Sequence, residues 1–412
     1  MRKIYLLTVV LLTTVFLSSC LKDKLTKTYT VLEPVYRTKT EVLADIKSSA
    51  ARTITDPGKL YYYGNYIFLN EINKGVHIID NADPARPVIK AFINIPGNLD
   101  IAVKGNMLYA DLFTDMVTVD ITDPLNARLV KVIPAIFPER QYGNGFTADN
   151  SKVIVDWIEK KITVAVDNVD DVRPPCASCM VFFSNSQGST ASTKSGAGGS
   201  MARFAVVNNY MYAVNASSII VVDVTAADQP IRKGTYSAGW NIETIYPFRD
   251  KLFLGSSSGM FIYSIANPAV PAREGMAAHF RACDPVVADD NYAFVTLRSG
   301  NFCQGTNNQL DIVNVQNVMS PTIIKTYPMT NPFGLAKDGH LLFICDGKDG
   351  LKVYDATDVQ SLRLIKRIGN METYDVIAGN NKLILVAKNG LYQYDYSDAN
   401  NIRQLSKISV NR

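Results

Sequence analysis

One pattern constrains this chain more than any other: an apolar strand closing on Asp or Asn, a short polar link, then a second strand. It is plainest at 350–368, GLKVYDATDVQSLRLIKRI, and returns as GVHIIDNADPARPVIKAFI at 75–93, MVTVDITDPLNARLVKVI at 116–133 and SIIVVDVTAADQPIRKGTY at 218–236. Three further copies begin at 259, 310 and 390. The residues that close the apolar run are Asp80, Asp120, Asp223, Ser264, Asn314, Asp355 and Asp395, separated by 40, 103, 41, 50, 41 and 40 positions. The long step leaves room for another unit plus an insertion, and KKITVAVDN at 160–168, closing on Asp167, is the segment expected to supply it.

A period near 40 residues signals a repeat architecture. Upstream of each closing residue lies an aromatic or aliphatic strand (YIFLN, MLYADL, YMYAV, KLFLG, YAFVTL, LLFICD, KLILVA), and before that a further short strand. Alternating apolar and polar residues give each strand a buried and a wet face. The Asp- and Asn-rich links are turn chemistry, in which side-chain oxygens accept from nearby N–H groups and Pro fixes φ. Four short strands per unit make the blade of a β-propeller, whose ring leaves only protected edges. The expectation is an all-β propeller of about eight four-stranded blades over 51–412, or seven if the third unit fails to form one.

The repeat resembles the LVIVD-repeat family of bacteria, in which a strand such as VHIID or IIVVD is followed by N-P or D-P and a second strand. The resemblance runs over nearly all of 52–411 and implies a propeller in the cell envelope, with no agreed reaction. WD40 repeats share the period, but their Gly-His and Trp-Asp signatures are missing here.

Residues 1–19 read as a lipoprotein signal peptide. Arg2 and Lys3 precede an apolar run from Ile4 to Leu17, too short for an ordinary span, and Leu17-Ser18-Ser19-Cys20 reads as a lipobox. Acylation of Cys20 would hold the mature chain on a membrane leaflet outside the cytoplasm. The outer membrane is the expected leaflet, with the periplasmic or surface side left open. Residues 20–50 read as a lipidated tether with a short helix over 41–49, where Val42, Leu43 and Ile46 share a face. Removing Arg2 and Lys3 leaves 40 basic against 38 acidic residues, a near-balance that argues against a nucleic-acid partner.

The insertion at 168–200 contains the pair Cys176 and Cys179 and the run SNSQGSTASTKSGAGGS. That run reads as a mobile loop projecting from one face, either a lid or solvated filler. Outside the cytoplasm, cysteines favour disulfides. Cys283 and Cys303 flank two strands of one unit and are expected to pair. Cys176 and Cys179 suit a local disulfide, since neither a helix N-terminus for redox chemistry nor the second half of a zinc site accompanies them. Cys345, in LLFICDG, reads as a buried thiol.

Aligning the inner strands places Asp100, Glu243, Asp284 and Asp375 at one shared position, nine or ten residues before the centre of the next strand; the unit before the last has Gly334 there. These carboxylates either line the channel as a cation site, with Ca²⁺ as the candidate ion, or pin blade to blade by accepting backbone hydrogen bonds. Arg281 and Trp240 open inner strands in the same funnel. No nucleophile–base pair or metal-ligand spacing points to catalysis, and no resident cofactor is expected. The reading is a lipid-anchored binding or scaffolding propeller with a protein or glycan partner. The alternative is a hydrolase or lyase using Asp284, Asp375 and His279 in the funnel.

Overall fold

The computed structural model describes residues 26–137, 140, 142, 146, 151–165, 188–189, 197–200, 202–278, 285–299 and 307–411. They divide into a propeller unit and a small second unit made of 26–35, 142, 146 and 156–165.

The propeller has seven blades, each an antiparallel sheet of four strands taken in chain order from the axis outward: 57–94, 101–133, 204–237, 242–278, 286–328, 335–368 and 373–409. Seven is the alternative count that the sequence allows. The eighth unit does not form, because 160–165 continue a long strand, Lys152–Ala165, which among the described residues pairs with Thr26–Thr38 in a two-stranded ribbon. Blade strands must bury both faces between neighbouring blades. The run from Ile158 to Thr163 is exposed residue after residue, and so has no face to offer a blade. In the small unit, Trp157 packs against Tyr142 and Phe146 with ring centroids 5.7 and 5.6 Å apart.

The repeat mark has a uniform job. The side chains of Asp80, Asp120, Asp223, Ser264, Asn314, Asp355 and Asp395 each accept from the backbone N–H two residues on, at 2.9 to 3.3 Å. This local turn leads the chain off the third strand and into the outermost one. The outermost strand then carries a bulge at the equivalent place in all seven blades, which increases its twist. At the start of the third strand of blade six, Gly350 sits at φ +86°, where a Cβ would collide with the Ile368 carbonyl of the outer strand.

Blades adhere face to face. The third residue of the second strand is a buried aromatic ring in six of them: Phe68, Tyr109, Tyr212, Phe253, Phe294 and Phe343, with Ile384 in the last. Burying such a ring contributes roughly 1.5–3 kcal/mol. Where the ring is Tyr, its hydroxyl donates to the next blade: Tyr109 to the Ala227 carbonyl and Tyr212 to the Pro268 carbonyl, both at 2.8 Å. Each polar handle is thereby satisfied at a blade boundary.

The ring closes where both ends of the propeller meet. Ile54 bridges Val410 in parallel and accepts from the Asn411 N–H at 2.8 Å, while its side chain joins Leu60, Ile67, Ile377, Ile384 and Leu391 in one core. Gln393 donates to the Asn81 side chain at 2.7 Å, and Ser406 to the Pro84 carbonyl at 2.7 Å. Ring closure thus joins ITDPGKLYYYGN, where the first unit begins, to the C-terminal unit.

The stretch read as a tether contains the ribbon strand Thr26–Thr38, and the helix is Lys39–Ala44, earlier than expected. Thr38 and Glu41 form a capping box, which fixes the start. Val42 and Ile46 are buried and Leu43 packs beside them, as the apolar face required.

Glu71 shows how blade one is stapled to the chain that enters it. It accepts from Thr55 N, Asp56 N and the Thr55 hydroxyl, and from His77 Nε2 at 2.9 Å. Burial opposes its charge, but these donors outweigh burial and bring its pKa down to about 2. Its contribution to stability is complete above the ordinary glutamate range and is lost as the pH falls through about 2. Glu71→Gln should cost about 2 kcal/mol at pH 7, and thermal melts should show the gap to wild type closing between pH 5 and pH 2.

Candidate functional site

The inner strands surround the axis, and the axis is not empty. Strand Ala197–Ser200 pairs antiparallel with the innermost strand of blade one, Ala197 opposite Tyr62 and Gly198 opposite Tyr61. Gly188–Ser189 pairs onto it in turn, Gly188 opposite Ser200. The first lies against the inner strands of blades six and seven, the second against those of blades four and five. Residues 188–189 and 197–200 of the insertion therefore lie in the channel and do not project from the ring; the rest of the run expected to form a mobile loop falls outside the described residues. Composition allowed both outcomes: small side chains suit a solvated loop, and they also let a backbone approach other backbones closely.

Four polar groups meet around this plug. Lys59, on the inner strand of blade one, pairs with Asp100 of blade two at 2.8 Å, with 7% and 3% of each residue exposed. Asp100 also accepts from Ile101 N at 2.8 Å and from Arg203 N of blade three at 2.5 Å. Asp100 thus pins one blade to the next, while burial pushes its pKa up and that of Lys59 down, against the attraction between them. Ser200, fully buried, accepts from Leu335 N of blade six through its hydroxyl at 2.6 Å.

The fourth group is Asp375, on the inner strand of blade seven and 0% exposed. Among the described residues, neither carboxyl oxygen has a hydrogen-bond partner of good geometry. Burial pushes its pKa up to about 7, and the nearby Asp100 charge adds to the rise. The Val376 and Ser200 N–H groups and Lys59 oppose it. Gly334 explains how the carboxyl fits: a Cβ at that position would overlap Asp375 Oδ1. The absent carboxylate in blade six is the space that the blade-seven carboxylate occupies.

Of the shared-position residues, Asp100 and Asp375 share this buried set with Lys59. Glu243 is half-buried on blade four, where its charge acts on Arg298. The Arg298 guanidinium stacks 3.9 Å over the Phe333 ring, and Phe333 meets Tyr374 edge-on at 5.3 Å. These residues lie at the end of the ring where inner strands begin, as does Trp240, 78% exposed. Asp284, His279, Arg281, Cys20 and the pairs Cys176–Cys179 and Cys283–Cys303 fall outside the described residues. Cys345 is a buried free thiol, its pKa pushed well up by burial.

Lys59, Ser200 and Gly334 are the site residues that sequence reasoning missed. Gly334 was visible as a gap in the acidic alignment. Lys59 stands out only as a charge inside an inner-strand pattern, and nothing local marks Ser200.

The sequence profile of the LVIVD repeat matches residues 58–94, 98–132 and 198–238. This chain carries LVIVD repeats. They fall on blades one, two and three, the third match beginning inside the plug strand. Among solved structures, the fold is similar to a protein from Lactobacillus plantarum at 12% identity and TM-score 0.56, covering 86% of this chain and 97% of that one. It is also similar to the periplasmic gluconolactonase of Pseudomonas aeruginosa at 12% identity and TM-score 0.51, covering 86% and 96%. BamB from Moraxella catarrhalis matches at 9% identity and TM-score 0.50, covering 89% and 98%. At such identities the likeness is one of fold. No curated protein matches the LVIVD-repeat chain in sequence.

Two outcomes follow for the LVIVD channel. Gly334→Ala should destabilise by about 1–3 kcal/mol, and a thermodynamic cycle with Asp375→Ala should recover part of that loss. Because Asp375 has a raised folded pKa, the stability tied to its protonated form is present below the ordinary aspartate range and lost as pH rises through about 7. Asp375→Asn should therefore gain on wild type between pH 4 and pH 7 and level off above pH 8, by up to about 4 kcal/mol, read as a pH series of melting temperatures.

Proposed function

We propose that this LVIVD-repeat chain is a lipid-anchored, non-catalytic binding propeller of the bacterial cell envelope, held through acylated Cys20 and docking a protein or glycan partner. The observation that carries the non-catalytic reading is the covered axis. Asp375, the described member of the candidate catalytic set, lies buried with Asp100 beneath the chain's own strand. The faces are built differently. The exposed Trp240 and the Arg298–Phe333–Tyr374 stack offer amphipathic groups of the kind enriched at recognition surfaces. The same fold serves a gluconolactonase and BamB, so the choice rests on these residues and not on the ring.

The anchor is supported by the order of segments in the sequence: basic start, apolar run, Leu17-Ser18-Ser19-Cys20. In bacteria fed a clickable palmitate analogue, the chain should carry the label and sediment with membranes, and Cys20→Ser should lose both. Crosslinking in those membranes should capture one reproducible partner, weakened by Trp240→Ala. Unchanged labelling of Cys20→Ser would remove the anchor. Ester or lactone turnover by the purified chain, abolished by Asp375→Asn, would replace the binding reading with an enzymatic one.

A further inference from the structure

The plug is informative about what the channel accepts. Its backbone is bound as a strand is bound in β-augmentation: Ala197 and Gly198 extend the sheet of blade one inward, opposite Tyr62 and Tyr61. Its terminal side chain is read out by a single directed contact, Leu335 N to Ser200 Oγ. These are the two components of peptide recognition, main-chain pairing for affinity and a side-chain contact for selectivity. The inner edge of blade one can therefore receive an extended segment of small residues.

The chain's own strand does not complete the site. Beside Ser200 lies Asp375, wholly buried, and among the described residues its carboxyl oxygens have no well-formed hydrogen bond, the Ser200 and Val376 N–H groups approaching without good geometry. A buried polar group without a partner costs free energy that a better-matched ligand would recover. The Lys59 ammonium is bound to Asp100, and among the described residues no cation forms an ion pair with Asp375. A cation beside Asp375 would give that carboxyl the ion-pair partner it lacks. Gly334 keeps the wall beside Asp375 free of a side chain.

We infer that the axis is a strand-binding channel held shut by residues 197–200, and that its exchangeable ligand is an extended peptide of small residues with one ammonium or guanidinium group where Ser200 now stands. This deepens the binding reading by naming its partner's chemistry. It rests on that reading for its role in the cell, but the exchange itself is a property of the purified chain. Its failure would leave the lipidation and crosslinking results untouched, and their failure would leave the exchange measurable.

The test uses two labelled peptides, KSGAGGSMA, which is residues 194–202, and the same peptide with Ser200→Lys. They are titrated against the purified full chain and its Gly198→Pro variant by fluorescence anisotropy. Proline inside the paired segment opposes strand formation and so lifts the plug. Gly198→Pro should bind both peptides saturably, the Ser200→Lys form at least about tenfold tighter, and Asp375→Asn in that background should erase the preference. Wild type should bind more weakly, in proportion to the time its own strand spends out of the channel. A Gly198→Pro variant with native melting behaviour that binds neither peptide would overturn the inference, as would a preference that survives Asp375→Asn. If Gly198→Pro fails to fold, Ser200→Ala, which removes only the hydroxyl that accepts from Leu335, carries the same comparison with the same outcomes.

Discussion

Every blade in this protein is covered on both faces by its neighbours, and the rest of the structure depends on that contact. A four-stranded sheet with two apolar faces has no stable existence alone, so each buried ring at the centre of a second strand, Phe68 or Tyr109 or Phe343, needs the adjacent blade to exclude water. Such a stack gains nothing from an open end. The Ile54–Val410 bridge and the core around Leu60 and Ile384 are where that requirement is met, by joining the first blade to the last. The Asx turns and bulges that recur in every unit serve the same end, since they set the twist that lets successive blades lie flush.

A ring of inner strands leaves unpaired backbone groups facing its axis, and here the chain answers that exposure with its own segment. Blade one's inner strand gains a partner in Ala197–Ser200, and polar groups of two other blades, Leu335 and Asp375, turn toward the same short stretch. The arrangement leaves Asp375 incompletely satisfied. In a protein whose repeated carboxylates, Glu71 and Asp111 among them, are otherwise supplied with backbone donors, that exception locates the axis as the place where the fold and its ligand chemistry part company.

Much of this was legible in the residues. The seven closing side chains announced both the period and their own local hydrogen bond, because an Asx turn is a short-range device written in three or four positions. The extra blade was misjudged for a physical reason: KKITVAVDN has the alternation and terminal Asp of a third strand, yet membership in a blade depends on neighbours on both faces, which no nine-residue window reports. The Gly/Ser run was misread because composition describes how a segment can behave and not what surrounds it. Gly334 lies between these cases. Its departure from the acidic alignment was plain, but the cause, a carboxyl from the following blade occupying the space of its Cβ, is a contact between residues 41 positions apart in the chain.

The central claim is that the axis of the ring is filled by the chain itself. Amide hydrogen exchange of the intact protein tests it most directly, at Leu335 and at Tyr62, whose N–H groups face the plug. If the plug strand holds the axis, these amides exchange on the timescale of the blade cores, and Leu335 loses its protection selectively in Ser200→Ala. Rapid exchange at both positions, with the second and third strands of the same blades still protected, would mean an open, water-filled channel and would contradict the account.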